Sequence, residues 1–159
     1  MIFVTVGAQM PFDRLVKTVD EWAGENGRED VFAQIGPTDW KPQNIEWTQF
    51  LDSARFFEKF DASETIVAHA GMGTILSGLV RGKSILVMPR QGSLRETRND
   101  HQVATAKRLL ELGKVNVAFD EKELREKLNE IDRIKESSPI GPYASSELIK
   151  KIREFIDQA

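Results

Sequence analysis

The stretch Thr65–Lys83, TIVAHAGMGTILSGLVRGK, decides how this sequence is interpreted. An apolar run rich in β-branched residues ends at His69, two glycines spaced by one residue follow, and a helical pattern begins at about Thr74 and ends near Arg81. Glycines let backbone N–H groups approach an anion closely, because no Cβ stands in the way. The start of a helix adds unpaired N–H groups and the positive end of the helix dipole. The stretch therefore predicts a diphosphate-binding turn between a buried strand and a helix.

A second interpretation of the same residues stays open. Two glycines spaced by one residue also suit an ordinary tight turn, and His69 also suits a hydrogen-bonded histidine of the core. In the binding interpretation, His69 donates a hydrogen bond from a ring nitrogen, and the hydroxyl of Thr74 either caps the helix or contacts the ligand.

Length and composition limit the classes of protein to consider. The chain has 159 residues, of which 40% are hydrophobic and 30% are charged, as expected for one globular domain. The net charge of −3 argues against a general nucleic-acid binder. The absence of cysteine excludes disulfides and thiol chemistry. The opening MIFVTVG lacks a basic signal-peptide region, and no run has the length of a membrane span, so we expect a cytoplasmic protein.

Apolar strands and amphipathic helices alternate along the chain. Six runs predict strands, at residues 2–6, 31–35, 45–50, 65–70, 84–89 and 115–119. Helical patterns separate them: one from Pro11 to the stop at 25–27, and others at 54–60, 74–81, 99–112 and 121–131. Asp120 and Glu123 have the spacing of a capping box for the last of these. Such alternation predicts an α/β fold, a Rossmann-like parallel sheet with helices on both faces.

The C-terminal part of the chain differs from the rest. We expect an α/β domain at residues 1–136, followed at 137–159 by a linker and a last amphipathic helix. That helix has one apolar stripe, made of Leu148, Ile149, Ile152, Phe155 and Ile156. The stripe either covers the core of the same domain or docks on another protein.

The sequence lacks the signatures of dinucleotide and metal sites. The first strand is followed by GAQMPFDR with a single glycine, and the second ends in AQIGP without an acidic residue, so NAD binding is disfavoured. A Walker A pattern, an H-E-x-x-H pattern and a D-x-D pattern are all missing. With two histidines and no cysteine, the chain offers little for a metal ion, and we expect none.

A second polar cluster follows the fifth predicted strand. Its loop contains three arginines, Arg90, Arg95 and Arg98. Asn99 or Asp100 then caps a helix whose first turn carries His101 and Gln102. Because the carboxyl ends of parallel strands share one edge of the sheet, we expect these side chains near the glycine turn, where they suit sugar hydroxyls. An exposed helix start beside solvated arginines is the alternative.

The segments HAGMGT (69–74) and NDHQ (99–102), with the opening IFVTVGAQMPFDRLV, together resemble the donor-binding C-terminal half of family 28 glycosyltransferases. The resemblance runs from Ile2 to about Val117 and is strongest to the split members of the family. These are the catalytic subunit of the bipartite UDP-GlcNAc transferase of N-glycan assembly and its bacterial relatives in exopolysaccharide and capsule synthesis. It implies half of a GT-B fold that binds a UDP-sugar without a metal or other cofactor.

The resemblance also implies roles for individual residues. The diphosphate contacts correspond to His69, Gly71, Met72, Gly73 and Thr74, and the sugar contacts to Asn99, His101 and Gln102. The uracil contact lies near Phe50 and Leu51. Gly7, Gln9 and Arg90 line the cleft. Single-chain relatives usually have a glutamate that binds the ribose, and Ser77 occupies the matching position here.

A split architecture implies a partner. The implied reaction is an inverting transfer from UDP-glucuronate, UDP-galactose or UDP-GlcNAc to a lipid-linked acceptor, without involvement of nucleic acid. A membrane-associated subunit would supply the acceptor site and the base, with His101 as the weaker candidate for the base. The C-terminal helix would dock there through Leu148, Ile152, Phe155 and Ile156, which would hold the cytoplasmic chain at the inner face of the membrane. The loop arginines would pair with the carboxylate of a uronate donor.

Two other classes of protein remain alternatives. One is a non-catalytic protein that keeps the fold and binds a partner or a nucleotide sugar, which the serine at position 77 would fit. The other is a different nucleotide-using α/β enzyme.

Overall fold

The computed structural model of the chain describes residues 1–134. It contains six strands: β1 (Ile2–Thr5), β2 (Val31–Gln34), β3 (Glu46–Thr48), β4 (Thr65–His69), β5 (Ser84–Met88) and β6 (Asn116–Val117). Its five α-helices are α1 (Asp13–Glu25), α2 (Ser53–Ala62), α3 (Met72–Val80), α4 (His101–Glu111) and α5 (Glu121–Asn129). The predicted linker and C-terminal helix, with Leu148, Ile152, Phe155 and Ile156, lie outside the described residues.

The six strands form one sheet in the order β3-β2-β1-β4-β5-β6, and all pairs are parallel. This is the strand order of the Rossmann fold, and the predicted α/β class is confirmed. The chain builds outward from β1 to β3 and then crosses back to place β4 on the other side of β1. A crevice opens outside the carboxyl ends of β1 and β4, where the order reverses.

Apolar residues cover both faces of the central strands, as expected for strands buried on two sides. On one face, Val4 and Leu86 pack with residues of α1 and α5, including Leu15 and Leu124. On the other face, Phe3 packs with Phe60 of α2. The helices α3 and α4 cover the rest of that second face, where Ile75, Leu79 and Ala106 meet Ile85 and Val87. Helices therefore lie on both faces, as the alternation predicts.

Several predicted boundaries differ from the structure. The helix α3 begins at Met72, two residues before the expected Thr74, because Gly71 is its N-cap and the N–H of Ile75 donates to the carbonyl of Gly71 (3.1 Å). The helix α4 begins at His101 and not at Asn99. Asp100 is the N-cap residue of α4, as predicted, but its carboxylate makes no cap hydrogen bond and accepts one from the N–H of Gly92 (2.7 Å).

The outer strands are shorter than predicted. β3 covers three residues and β6 two, so both predicted strands lose residues at their ends. By contrast α2 is longer than predicted, since Asp52 caps it by accepting from the N–H of Arg55 (2.9 Å). Among residues 1–134, none of the helices combines the length and apolarity needed to cross a bilayer.

Candidate functional site

A cleft of about 390 Å³ lies at the carboxyl ends of β1, β4 and β5. Six residues predicted to form the site line it: Gly7, Gln9, His69, Arg90, His101 and Gln102. Val6, Ala8, Met10 and Thr97 complete the lining. The structure thus brings the loop after the first strand, the histidine of the glycine turn and the start of α4 around one space. The strands position these groups, since each one follows the end of a central parallel strand.

His69 ends β4 and lies between two glycines. A Cβ atom at Gly71 would overlap Nε2 of the imidazole, and one at Gly7 would come within 3.0 Å of Cε1. Gly7 also has a φ of +78°, which favours glycine. Both glycines therefore make room for the imidazole ring, a reason that the sequence pattern did not reveal.

The imidazole of His69 is neutral at physiological pH. Burial, and secondly the positive charge of Arg90, lower the pKa of His69 to about 4, while the carbonyl of Thr5 opposes the shift. Nδ1 lies 3.5 Å from that carbonyl oxygen. A neutral ring keeps one nitrogen as donor and the other as acceptor.

The first turn of α3 has open N–H groups. Gly71 provides no side-chain cap, and within residues 1–134 the N–H groups of Met72, Gly73 and Thr74 have no hydrogen-bond acceptor. A Cβ atom added at Gly73 would meet no atom within 4 Å, so the space above this turn is open. Three free N–H groups at the positive end of a helix suit an anion. This turn lies beside the lining of the cleft and joins it through the contact of Gly71 with His69.

Arg90 lies in the wall of the cleft and is only 3% exposed. Its guanidinium donates to the carbonyl oxygens of Val6 (2.9 Å), Met10 (2.8 Å) and Pro11, and more weakly to that of Glu96 (3.4 Å). The expected pairing of Arg90 with a uronate carboxylate is therefore wrong, because main-chain carbonyls already occupy its fork. Arg95 and Arg98 are exposed and do not line the cleft.

The predicted sugar-binding residues have different environments. The side-chain oxygen of Gln102 accepts from the N–H of Arg90 (3.1 Å), which leaves its NH₂ group as the available donor. His101 is exposed, and its Nδ1 and its N–H (3.3 Å) both contact the side-chain oxygen of Asn99. Asn99 does not itself line the cleft.

Three other predicted residues lie away from this cleft. Phe50 and Leu51 follow β3, which is separated from β4 by β2 and β1, a distance of about 14 Å across the sheet. Phe50 is 50% exposed, whereas Leu51 is partly buried and packs against the cluster of Phe3 and Phe60. Ser77 lies in the second turn of α3, outside the cleft lining.

Sequence reasoning missed an ion pair that holds the loop after β5. Arg14 of α1 and Glu96 form two parallel hydrogen bonds (2.8 and 2.9 Å), and the same carboxylate accepts from the N–H of Gln91 (2.9 Å). The partners are 82 residues apart, and no local pattern indicates their pairing. Within residues 1–134, no group of histidine and carboxylate side chains has the arrangement of a metal site.

The fold and the site define an α/β domain of the kind that binds a phosphorylated ligand at the carboxyl edge of a Rossmann-like sheet. The family model described as glycosyltransferase family 28 C-terminal domain matches residues 1–158. The chain belongs to this family.

Solved structures of glycosyltransferases share the fold. The crystal structure of the glycotransferase of kitacinnamycin is 20% identical over 82% of the chain, with a TM-score of 0.61. The NMR structure of ALG13 is 18% identical over 95% of the chain, with a TM-score of 0.59. MurG of Acinetobacter baumannii is 18% identical over 82% of the chain, with a TM-score of 0.58. A search of curated protein sequences gives no significant match.

The lengths of these proteins differ. The chain covers 93% of ALG13, but only 34% of the kitacinnamycin enzyme and 40% of MurG. The described fold therefore corresponds to the C-terminal half of a GT-B glycosyltransferase. It also corresponds to nearly the whole of ALG13, which is a shorter protein.

Proposed function

We propose that this chain is the donor-binding catalytic subunit of a two-component inverting glycosyltransferase. It transfers a sugar from a UDP-sugar to a lipid-linked acceptor in exopolysaccharide or capsule synthesis. One observation carries the proposal: the uncapped first turn of α3 lies beside the neutral, partly buried His69 at the reversal of strand order. The family to which the chain belongs supports the same chemistry.

The proposed role of the turn is to stabilise the leaving group. When an acceptor hydroxyl attacks the anomeric carbon, negative charge develops on the departing UDP. The N–H groups of Met72, Gly73 and Thr74 and the dipole of α3 stabilise that charge without a metal ion. His69 donates one further hydrogen bond to the diphosphate when Nε2 carries a proton. That requires either the tautomer in which Nδ1 does not donate to the carbonyl of Thr5, 3.5 Å away, or protonation of the ring beside the bound anion.

The sugar is proposed to lie against the start of α4. Gln102 offers its NH₂ group, and the paired side chains of Asn99 and His101 offer the other polar contacts. Because the fork of Arg90 is occupied, an uncharged hexose such as galactose or GlcNAc fits this cleft better than glucuronate. UDP-glucuronate remains a candidate donor only through Arg95 and Arg98.

The second component is proposed to be a membrane-associated subunit with the acceptor site and the base. Four of the exposed large apolar residues follow the carboxyl ends of β1, β3, β4 and β5: Met10, Phe50, Met72 and Leu94. Apolar residues around a polar cleft fit an edge that another lobe covers. His101 remains the weaker candidate for the base; its Nδ1 faces the side-chain oxygen of Asn99, which leaves Nε2 as the nitrogen that could accept a proton. Docking on this partner would keep the chain at the inner face of the membrane.

Calorimetric titration tests the donor site. The chain is titrated with UDP, three UDP-sugars and NAD, in parallel with Gly73→Val and with the control Ala104→Val on an exposed position of α4. UDP binding that is lost in Gly73→Val and kept in Ala104→Val supports the proposal. Binding of NAD in place of UDP would contradict it.

A non-catalytic nucleotide-sugar-binding protein is the second candidate, and the serine at position 77 favours it. Turnover separates the two candidates. If the chain binds UDP but transfers no sugar after co-expression with its membrane subunit, the non-catalytic candidate is correct.

A further inference from the structure

The guanidinium of Arg90 is surrounded by the main chain of the turn between β1 and α1, residues 6–12. One terminal nitrogen donates to the carbonyls of Val6 (2.9 Å) and Met10 (2.8 Å), and the other donates to that of Pro11. The guanidinium carbon lies 4.7 Å from the ring centroid of Phe12. A single side chain thus contacts the turn at its start, its end and its flank.

The main chain of Arg90 holds the opposite wall of the cleft. Its N–H donates to the side-chain oxygen of Gln102 (3.1 Å) in the first turn of α4. Because that oxygen is engaged, the amide of Gln102 has one orientation, with its NH₂ group free. The two walls of the cleft therefore meet at one residue of the loop after β5.

Only arginine fits this position. A planar fork with five N–H donors contacts several carbonyl groups at once, whereas a lysine ammonium is a compact charge on a flexible chain. The carbonyl oxygens offset the cost of burying the charge. The carboxylate of Glu96, which is held by Arg14, adds a nearby negative charge.

We propose that Arg90 is a positioning residue of the donor site, which fixes the 6–12 turn and Gln102 on either side of the nucleotide sugar and makes no contact with the donor itself. This inference rests on the proposed function, since the ligand that it concerns is the UDP-sugar. In this inference the guanidinium of Arg90 holds the turn of residues 6–12 in place, a role that the loop arginines Arg95 and Arg98 do not share.

The test compares Arg90→Lys and Arg90→Met with a matched control, Arg28→Lys. Arg28 also has an engaged fork, which bonds Asp30 (2.8 Å) and Asp132 (2.8 Å), and it lies 5.5 Å from the ring centroid of Trp22, on the opposite edge of the sheet from the cleft. For each protein, we would measure thermal unfolding, the dissociation constant of UDP and the backbone amide resonances of Gly7, Ala8 and Gln9. Binding is measured at a temperature where every variant is folded.

Arg90→Lys is expected to weaken UDP binding by about tenfold or more and to shift the amide resonances of residues 7–9. Arg28→Lys is expected to lower the unfolding temperature while it leaves the dissociation constant and those resonances unchanged. Arg90→Met should resemble Arg90→Lys, because the fork and not the charge alone holds the turn.

Two results would overturn the positioning role. One is UDP binding by Arg90→Lys at the affinity of the parent protein with the turn resonances unmoved. The other is an equal loss of affinity in Arg28→Lys, which would mean that affinity follows global stability. If the parent chain binds neither UDP nor a UDP-sugar, the proposed function fails instead. The resonances of residues 7–9, measured without ligand, still decide whether Arg90 holds the turn.

Discussion

The two helices that follow the outer strands begin with a side-chain cap, whereas the helices that begin beside the crevice, α1, α3 and α4, do not. After β3, Asp52 caps α2 by accepting from the N–H of Arg55 (2.9 Å). After β6, Asp120 caps α5 by accepting from the N–H of Glu123 (2.8 Å). After β4, α3 begins at Gly71 with no side-chain cap. In each outer helix a side chain therefore accepts a hydrogen bond from an N–H group of the first turn, whereas α3 has no such side-chain cap.

This difference supports the proposed position of the ligand. A capped helix start gains stability, since the cap satisfies N–H groups that otherwise have no partner. An open start gives up that stability but keeps the N–H groups available to an anion. Because the open start of α3 lies where the strand order reverses, its free N–H groups coincide with the crevice that the topology creates.

The largest effect is expected from a substitution that places a negative charge at the uncapped start of α3. Gly73→Asp places a carboxylate in the first turn of α3, where it interacts favourably with the helix dipole and meets no steric obstacle. The same charge repels a diphosphate. UDP affinity should fall by at least about a hundredfold, while the unfolding temperature stays constant or rises. Calorimetric titration and thermal unfolding of the same sample measure both effects.

The matched control is Gly73→Asn, which has nearly the same size without the charge. It should lose less UDP affinity than Gly73→Asp. Equal losses in the two variants would attribute the effect to size alone, and unchanged UDP binding in Gly73→Asp would place the diphosphate somewhere else.

The pH dependence of stability tests a second property of the crevice, the partly buried, neutral imidazole of His69. Its pKa is about 4 in the folded chain, below the ordinary value of 6.5, mainly because of burial and secondly because of Arg90. The unfolded chain therefore binds a proton between these two values while the folded chain does not, so stability decreases as the pH falls from 6.5 to 4. Between pH 7 and pH 5, His69 alone should cost about 2 kcal/mol of the free energy of unfolding. Chemical denaturation at the two pH values measures this loss.

His69→Gln should remove most of this pH dependence, because glutamine does not titrate. The control His101→Gln should keep it, since His101 is exposed. The chain contains only these two histidines, which makes the comparison complete for this residue type. An equal loss of stability at pH 5 in the parent and in His69→Gln would refute the buried neutral ring.

Local patterns were sufficient to predict the order of elements. The runs of β1, β2, β4 and β5 became strands because they are buried within a parallel sheet, where uniform apolarity replaces alternation, whereas the outer strands β3 and β6 are more exposed and shorter. The capping box at Asp120 and Glu123 was also readable, since its partners are three residues apart. The start of α3 was misplaced by two residues because its N-cap is Gly71, which has no side chain to indicate a cap.

Long-range contacts explain what the sequence did not reveal about the site. His69 and Gly7 were both predicted, yet their contact depends on the pairing of β1 with β4 across more than sixty residues. Arg90 resembles a ligand-binding cation in the sequence, because its acceptors on Val6 and Met10 are 84 and 80 residues away. Asp100 occupies the predicted N-cap position of α4, but its carboxylate accepts from the N–H of Gly92, eight residues earlier, and not from the helix.

The smallest expected effect concerns the outer edge of the sheet. Asp120→Ala removes the cap of α5 and should lower the free energy of unfolding by about 1 kcal/mol, or the unfolding temperature by about 3 °C. UDP affinity should not change, because α5 follows the outermost strand and its start does not line the cleft. Asp120→Asn is the control, and it should recover most of the stability, since asparagine also caps helices.

Asp120→Ala and Gly73→Asp are expected to have opposite effects on stability and on UDP binding. At α5 a lost carboxylate should cost stability and leave UDP binding intact, whereas at α3 a gained carboxylate should cost UDP binding and leave stability intact. A loss of UDP affinity in Asp120→Ala at a temperature where the protein is folded would show that the edge and the crevice are coupled. The open start of α3 would then not be the separate binding element that its geometry indicates.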